Sequence, residues 1–204
     1  MFGVVFGREP RIFDKSSLIC YNIGIKTEVI YMTFRKADKS DILRISEIYS
    51  AVIDADTEPG SRIGWIKGVY PVAATAKAAL LREDLFVCER EGRVIAAAII
   101  NKIQVDVYAD CNWEYEASPE EVLVLHTLVV DPAEYKKGVG SAFVACYEQM
   151  AKDMGCTVLR MDTNERNNKA RRLYKRLGYR EAGIVPCVFN GIPDVMLVCL
   201  EKKL

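Results

Sequence analysis

Val122-Leu123-Val124-Leu125-His126-Thr127-Leu128-Val129-Val130-Asp131-Pro132-Ala133-Glu134-Tyr135-Lys136-Lys137-Gly138-Val139-Gly140-Ser141 is the stretch that decides the reading of this chain. Its first nine residues are almost continuously apolar, as in a central strand buried on both faces. Asp131-Pro132 ends the strand. Two lysines follow, and Gly138-Val139-Gly140 opens a helix. That helix carries Phe143, Val144, Tyr147, Met150, Ala151 and Met154 on one face and closes at Gly155. Glycines at such a turn let backbone approach a ligand closely. Free N–H groups at a helix N-terminus point at anionic groups. Lys136 and Lys137 add positive charge. The physical reading is a cradle for a pyrophosphate; the competing one is a glycine-rich turn with solvated lysines. Two nucleotide patterns fail. G-x-G-x-x-G wants a glycine where Phe143 stands, and a P-loop wants a lysine between Gly140 and Ser141.

Working outward, Asp38-Lys39-Ser40-Asp41 signals a helix start, and Ile42, Ile45, Ile48, Tyr49 and Val52 follow at helical spacing. This helix is expected to end before Pro59-Gly60, and a loop over 59–71 carries Trp65 and Tyr70. Pro71 to Arg82 reads as an alanine-rich helix. Leu85–Glu89 and Arg93–Ile103 read as a hairpin about Glu91-Gly92. Residues 104–120 form an acidic, aromatic loop or strand extension. Val158–Met161 is a strand, Asn167–Leu177 a helix stopped by Gly178, and Val185–Phe189 and Val195–Leu200 two final strands. The order is β-α-α-β-β-β-α-β-α-β-β, an α/β (α+β) arrangement with helices packed on a mixed sheet.

Composition narrows the classes. The chain has 204 residues, 50% hydrophobic and 27% charged, which suits a sizeable core and excludes general disorder. Lys plus Arg (28) balance Asp plus Glu (28), which disfavours bulk nucleic-acid binding. No apolar run reaches the ~18–20 residues of a membrane-spanning helix. Seven scattered cysteines without a CxxC pair, and one histidine, offer no metal site. They read as small buried hydrophobes of a reducing compartment. Residues 1–31 are expected to be an N-terminal extension and 32–204 the functional domain. The apolar Met1–Phe6 is cut by Arg8, Glu9 and Pro10, which does not read as a signal peptide.

A second segment carries chemistry: Asn167-Asn168-Lys169-Ala170-Arg171-Arg172-Leu173-Tyr174-Lys175-Arg176-Leu177-Gly178-Tyr179. Ala170, Leu173 and Leu177 make a core-facing stripe, with Tyr174 at its edge. Together the two segments resemble the GNAT superfamily of acyl-CoA-dependent N-acyltransferases. The resemblance covers about residues 32–201 and is strongest over 122–181. It implies the GNAT fold, a mixed sheet of about seven strands flanked by about four helices. The family's loop reads Gln/Arg-x-x-Gly-x-Gly/Ala. Gly138 and Gly140 match it, and Tyr135 stands in the Gln/Arg position.

The resemblance further implies acetyl-CoA as co-substrate. The backbones of Leu128, Val129 and Val130 would meet the pantetheine arm, and those of Lys136, Lys137, Gly138, Val139, Gly140 and Ser141 the pyrophosphate. Asn167 matches an asparagine near the pantetheine. Tyr174 matches the tyrosine beside the thioester sulfur and is the expected general acid. His126 resembles the base position of the arylalkylamine N-acetyltransferases, where a His-x-His pair stands; Val124 fills the other place. Its competing reading is a satisfied histidine within the sheet. Plain alternation places His126, Leu128 and Val130 on one face. Glu114, Glu116, Glu120 and Glu121 are reserve bases. Trp65 and Tyr70 are expected to wall the acceptor. The expected activity is cytoplasmic acetyl transfer to a small amine or exposed amino group, without nucleic acid, membrane or metal. A homodimer is a further expectation the resemblance carries. The alternative is a non-catalytic acyl-CoA sensor on the same fold.

Overall fold

The computed structural model describes residues 19–25, 28–56 and 62–204, with backbone alone over 19–31. Met1–Phe6, Arg8-Glu9-Pro10 and Pro59-Gly60 lie outside the described residues. Among those described, eight strands and four α-helices follow one another. They are β1 (Ile19–Ile25), β2 (Glu28–Lys36), α1 (Asp41–Asp54), α2 (Ala73–Leu81), β3 (Leu85–Arg90), β4 (Arg93–Asn101), β5 (Val122–Val130), α3 (Val139–Asp153), β6 (Val158–Asn164), α4 (Asn168–Arg176), β7 (Arg180–Phe189) and β8 (Ile192–Lys203). One sheet joins the strands in the order β1-β2-β3-β4-β5-β6-β8-β7. Only β5 and β6 pair in parallel. The seven strands expected from Met32 onward are β2–β8. The eighth, β1, falls within residues 1–31, and β2 begins four residues before Met32.

The turns behave as their residues require. Glu91 and Gly92 both have positive φ (52° and 75°), which matches the twist of the β3–β4 hairpin. Residues 104–120 fold into two short 3-10 turns, Asp106–Asp110 and Pro119–Glu121, rather than a strand extension. β6 runs to Asn164, three residues beyond the apolar Val158–Met161.

Two layers cover the sheet. α3 and α4 pack on one face over Phe34, Phe86, Leu123, Leu125, Leu159 and Met161. α1 and α2 cover Leu85, Val87, Val94, Ala97, Ile99 and Val129 on the other. Beyond them on that second face, the 104–118 segment and Tyr70 cover Val122, Val124, Val158 and Leu197. Burying a side chain of this size contributes about 1.5–3 kcal/mol. Four cysteines, Cys88, Cys146, Cys156 and Cys199, are part of this packing.

The parallel pair β5–β6 is a fork. Val122–Leu125 pair with Val158–Met161, and pairing stops there although both strands continue. On the closed side, the Tyr147 hydroxyl of α3 donates to the carbonyls of Leu123 (2.6 Å) and Arg160 (3.2 Å), one on each strand. On the open side, Thr127 holds φ of +51°, which is strained for a β-branched residue, at the point where the β4–β5 register slips. This bulge adds a residue to β5 and reverses the faces that follow it.

Candidate active site

The fork opens into a cleft of about 730 Å³. One wall is the unpaired end of β5, from Thr127 to Val130. The other is the end of β6, from Asp162 to Asn164. Each prong is held by a tyrosine. The Tyr70 hydroxyl bonds Thr127 Oγ1, and the Tyr108 hydroxyl donates to Asp162 Oδ2 at 2.8 Å.

At the α3 end, the loop after β5 is fixed by its acids. Asp131 Oδ1 accepts from the Ala133 N–H (3.0 Å), and its other oxygen meets Arg44 and Arg93. Glu134 pairs with Arg90 at 2.6 Å. Lys136 and Gly138 then take left-handed conformations, with φ of 65° and 82°, and turn the backbone into α3. Gly138 is the N-cap, so the first N–H groups of α3 have no partner within the helix. Lys136, Gly138, Val139, Gly140 and Ser141 all line the cleft. Lys137 does not. Its ammonium turns back to Glu134 (3.4 Å), and its backbone N–H donates to the Glu134 carbonyl (3.4 Å).

α4 supplies the facing wall. Asn167 caps it, its Oδ1 accepting from the Ala170 N–H (3.2 Å), and it lines the cleft with Lys169, Arg172, Tyr174 and Arg176. The Arg176 guanidinium reaches Ser141 Oγ at 3.5 Å, beside the free N–H groups of α3. These cations, the open helix end and the left-handed turn fit a diphosphate and a further phosphate. Leu128 and Val130 pack with Leu173 on the α3–α4 face, whereas Val129 faces α1 and α2. The β5 backbone here has no β6 partner and is open to an extended chain. The residues present fit CoA.

Two titratable groups line the cleft at the mouth of the fork, Asp162 and Tyr174. Asp162 points to the α1–α2 side, like its neighbours in alternation Val158 and Arg160. Burial pushes its carboxyl up to about 6, and the Tyr108 hydroxyl acts in the opposite direction. Tyr174 comes from the α3–α4 side, buried and edge-on to Tyr179 (6.0 Å). Burial first, then the Asp162 charge, raise its phenol well above 10, so it stays protonated at neutral pH.

His126 is elsewhere. The bulge at Thr127 puts it on the face opposite Leu128 and Val130, which corrects the expectation from plain alternation. Its register partner is Ile99, and its Nε2 lies 3.1 Å from Asn101 Oδ1. Asn101 in turn donates to Asp84 at 2.8 Å. Burial lowers the imidazole pKa. His126 does not line the cleft. Asp162, which does line it, is polar sequence at the end of an apolar run and passes for a loop residue.

The side of the cleft away from α3 and α4 is lined by the α1–α2 connection. Trp65 lines the cleft. Tyr70 does not, but stands behind it, edge-on to Trp65 (6.1 Å) and to Phe189 (5.4 Å). Gly64 has φ of +73° and abuts Asn164 so closely that a Cβ would come within 2.3 Å of its amide nitrogen. The connection thus closes onto the β6 prong. Glu114 and Glu121, reserve bases by sequence, serve structure instead. Glu114 Oε2 pairs with Arg180 at 3.0 Å, and Glu121 accepts from Ser118. Glu120 pairs with Lys102 at 2.9 Å, and neither it nor Glu116 lines the cleft.

A fork in a mixed sheet, with a glycine turn at one prong and helices on both faces, is the architecture of an acetyltransferase. The chain belongs to the acetyltransferase (GNAT) family, whose model matches residues 50–179. An uncharacterized N-acetyltransferase of Methanocaldococcus jannaschii is 30% identical over 103 residues, 50% of this chain and 42% of that one. The match thus spans less than half of that relative. A GNAT-family acetyltransferase structure from Streptococcus agalactiae superposes with a TM-score of 0.69 at 20% identity, covering 85% of this chain and 95% of that one. The yncA protein of Salmonella typhimurium, solved with its cofactor acetyl-CoA, has a TM-score of 0.58 at 22% identity, over 85% and 94% of the two chains. At these identities the structures share the fold. Among the described residues no helix is long and apolar enough to cross a membrane.

Proposed function

We propose that this chain transfers an acetyl group from acetyl-CoA to a primary amine by direct transfer, with Asp162 as general base and Tyr174 as general acid. The observation that carries this reading is that Asp162 and Tyr174, from opposite faces of the sheet, line one cleft that also carries the phosphate cradle. Acetyl-CoA, when bound, supplies an activated thioester. The β5 backbone and the α3 N-terminus hold it in register with the fork.

An alkyl amine near pKa ~10 arrives protonated and without a lone pair. Asp162 is ionised above about pH 6 and takes that proton, directly or through water. The N–C bond forms as the C–S bond breaks. Backbone N–H groups of the unpaired β5 edge face the carbonyl oxygen. Tyr174 gives its proton to the departing sulfur, and the second proton, which the nitrogen sheds as the amide forms, returns to the phenolate through water. The experiment is free-thiol release from acetyl-CoA across a panel of amines. Amine-dependent release supports the reading. Saturable CoA binding with no release for any amine would leave the acyl-CoA sensor.

A further inference from the structure

The two halves of the cleft differ in chemistry. The half toward α3 and α4 is cationic. The half beneath the α1–α2 connection carries an apolar wall of Trp65, Phe189, Val195 and Leu197, with Arg62 and Asn164 also lining it. Trp65 and Phe189 are both braced by the ring of Tyr70, which is itself buried and fixed through Thr127. The wall is therefore rigid as well as apolar.

Among the described residues three carboxylates line the cleft: Asp56, Glu134 and Asp162. Glu134 is committed to Arg90 and Lys137. Asp56 Oδ2 accepts from the backbone N–H groups of Arg62 (2.7 Å) and Ile63 (3.0 Å) and holds the connection in place. Asp162 meets a neutral donor, Tyr108. Among the described residues the acceptor half thus presents one uncommitted acid, Asp162, beside a hydrocarbon wall. One ammonium is matched there. A second would lie against Val195 and Leu197, where no further acid among the described residues compensates its lost hydration.

We propose that the acceptor is a primary monoamine carried on an aromatic or branched aliphatic body, with Trp65 and Phe189 as its specificity-determining residues. This rests on the transferase reading above. The same chemistry occurs in a free amine and in the N-terminal amino group of an apolar residue.

The test uses the full chain with acetyl-CoA and compares phenethylamine and 3-methylbutylamine with putrescine and spermidine. A short peptide beginning with phenylalanine separates the free from the peptide-borne amine. The expected kcat/KM for the apolar monoamines, or for that peptide, exceeds that for putrescine by about tenfold or more, the discrimination an apolar pocket supplies. Trp65→Ala and Phe189→Ala are expected to lower it about tenfold for phenethylamine and less for putrescine. Trp65→Leu and Phe189→Leu preserve apolar volume, guard against misfolding and recover part of the loss. Faster turnover of the polyamines, or equal slowing of every amine by the alanine variants, overturns the specificity while the transferase stands. No thiol release with any amine overturns the transferase. Calorimetric titration of phenethylamine into CoA-saturated protein then decides the wall on its own. Binding weakened by Phe189→Ala supports it, and no binding overturns it.

Discussion

The hydroxyl of Tyr108 donates to Asp162 Oδ2 at 2.8 Å, from a 3-10 turn to the open prong of the β5–β6 fork. The bond joins a segment with no regular strand to the group proposed as base. It sets both the orientation of that carboxylate and its charge. Burial pushes the carboxyl up to about 6, and the donated proton restrains the rise. Removing the hydroxyl should therefore raise the carboxyl further. Tyr108→Phe is expected to move the ascending limb of kcat against pH upward by about one unit, as initial rates between pH 5 and 9 would show. An unmoved limb would separate Tyr108 from the base.

Tyr174 should act on turnover and not on capture. Tyr174→Phe keeps the ring that packs on Tyr179 and removes only the proton. The expected result is a fall in kcat of about tenfold to a hundredfold, with CoA affinity by titration within about twofold of wild type. An equal loss of both would make the phenol a binding group.

His126 is expected to matter to stability alone. Its imidazole pKa is lowered by burial, so the folded state favours the neutral ring. The unfolded chain then binds the extra proton, and the stabilisation is lost as pH falls below the ordinary histidine value of ~6.5. His126→Ala should lower the melting temperature at pH 7.5 and reduce its decline between pH 7 and pH 5. It should leave the ascending limb of kcat in place. A displaced limb would return His126 to the chemistry despite its position.

Gly138 turns the chain into α3 at φ of 82°. A side chain there strains the backbone by about 1–2 kcal/mol and tilts the first N–H groups of the helix. Gly138→Val is expected to weaken CoA binding about tenfold or more, with a smaller effect on kcat at saturating CoA. Arg176→Ala, which removes the cation beside Ser141, should weaken CoA binding and reduce its salt dependence. Calorimetry at two ionic strengths checks both.

The buried parts of the fold were legible because they are written in apolar residues. Val122–Val130 reads as a strand and is one, with the same ends. The glycine turn, the α3 face and the stripe on α4 are equally plain. The errors cluster at the fork, where the structure departs from regular pairing. Asp162-Thr163-Asn164 looks like the end of a strand because its residues are polar, but they are polar because they face the cleft. The bulge at Thr127 has no sequence mark, since a threonine with positive φ is imposed by its surroundings, and it carried His126 to the other face. Lys137 is expected to offer its backbone to the pyrophosphate, and only the folded turn shows its ammonium and its N–H both directed to Glu134. Tyr70 was read as wall and proved to be the brace behind it, a distinction that belongs to three-dimensional packing.

The central claim, that Asp162 in the fork is the base for acetyl transfer to an amine, is tested most directly by kcat at saturating amine from pH 5 to 9. Wild type and Asp162→Asn would be compared, the latter still able to accept from Tyr108. Wild type is expected to rise through about pH 6. The variant should be slower by roughly a hundredfold or more and lack that limb. A variant that retains wild-type rates and the same limb would contradict the account and place the base elsewhere in the cleft.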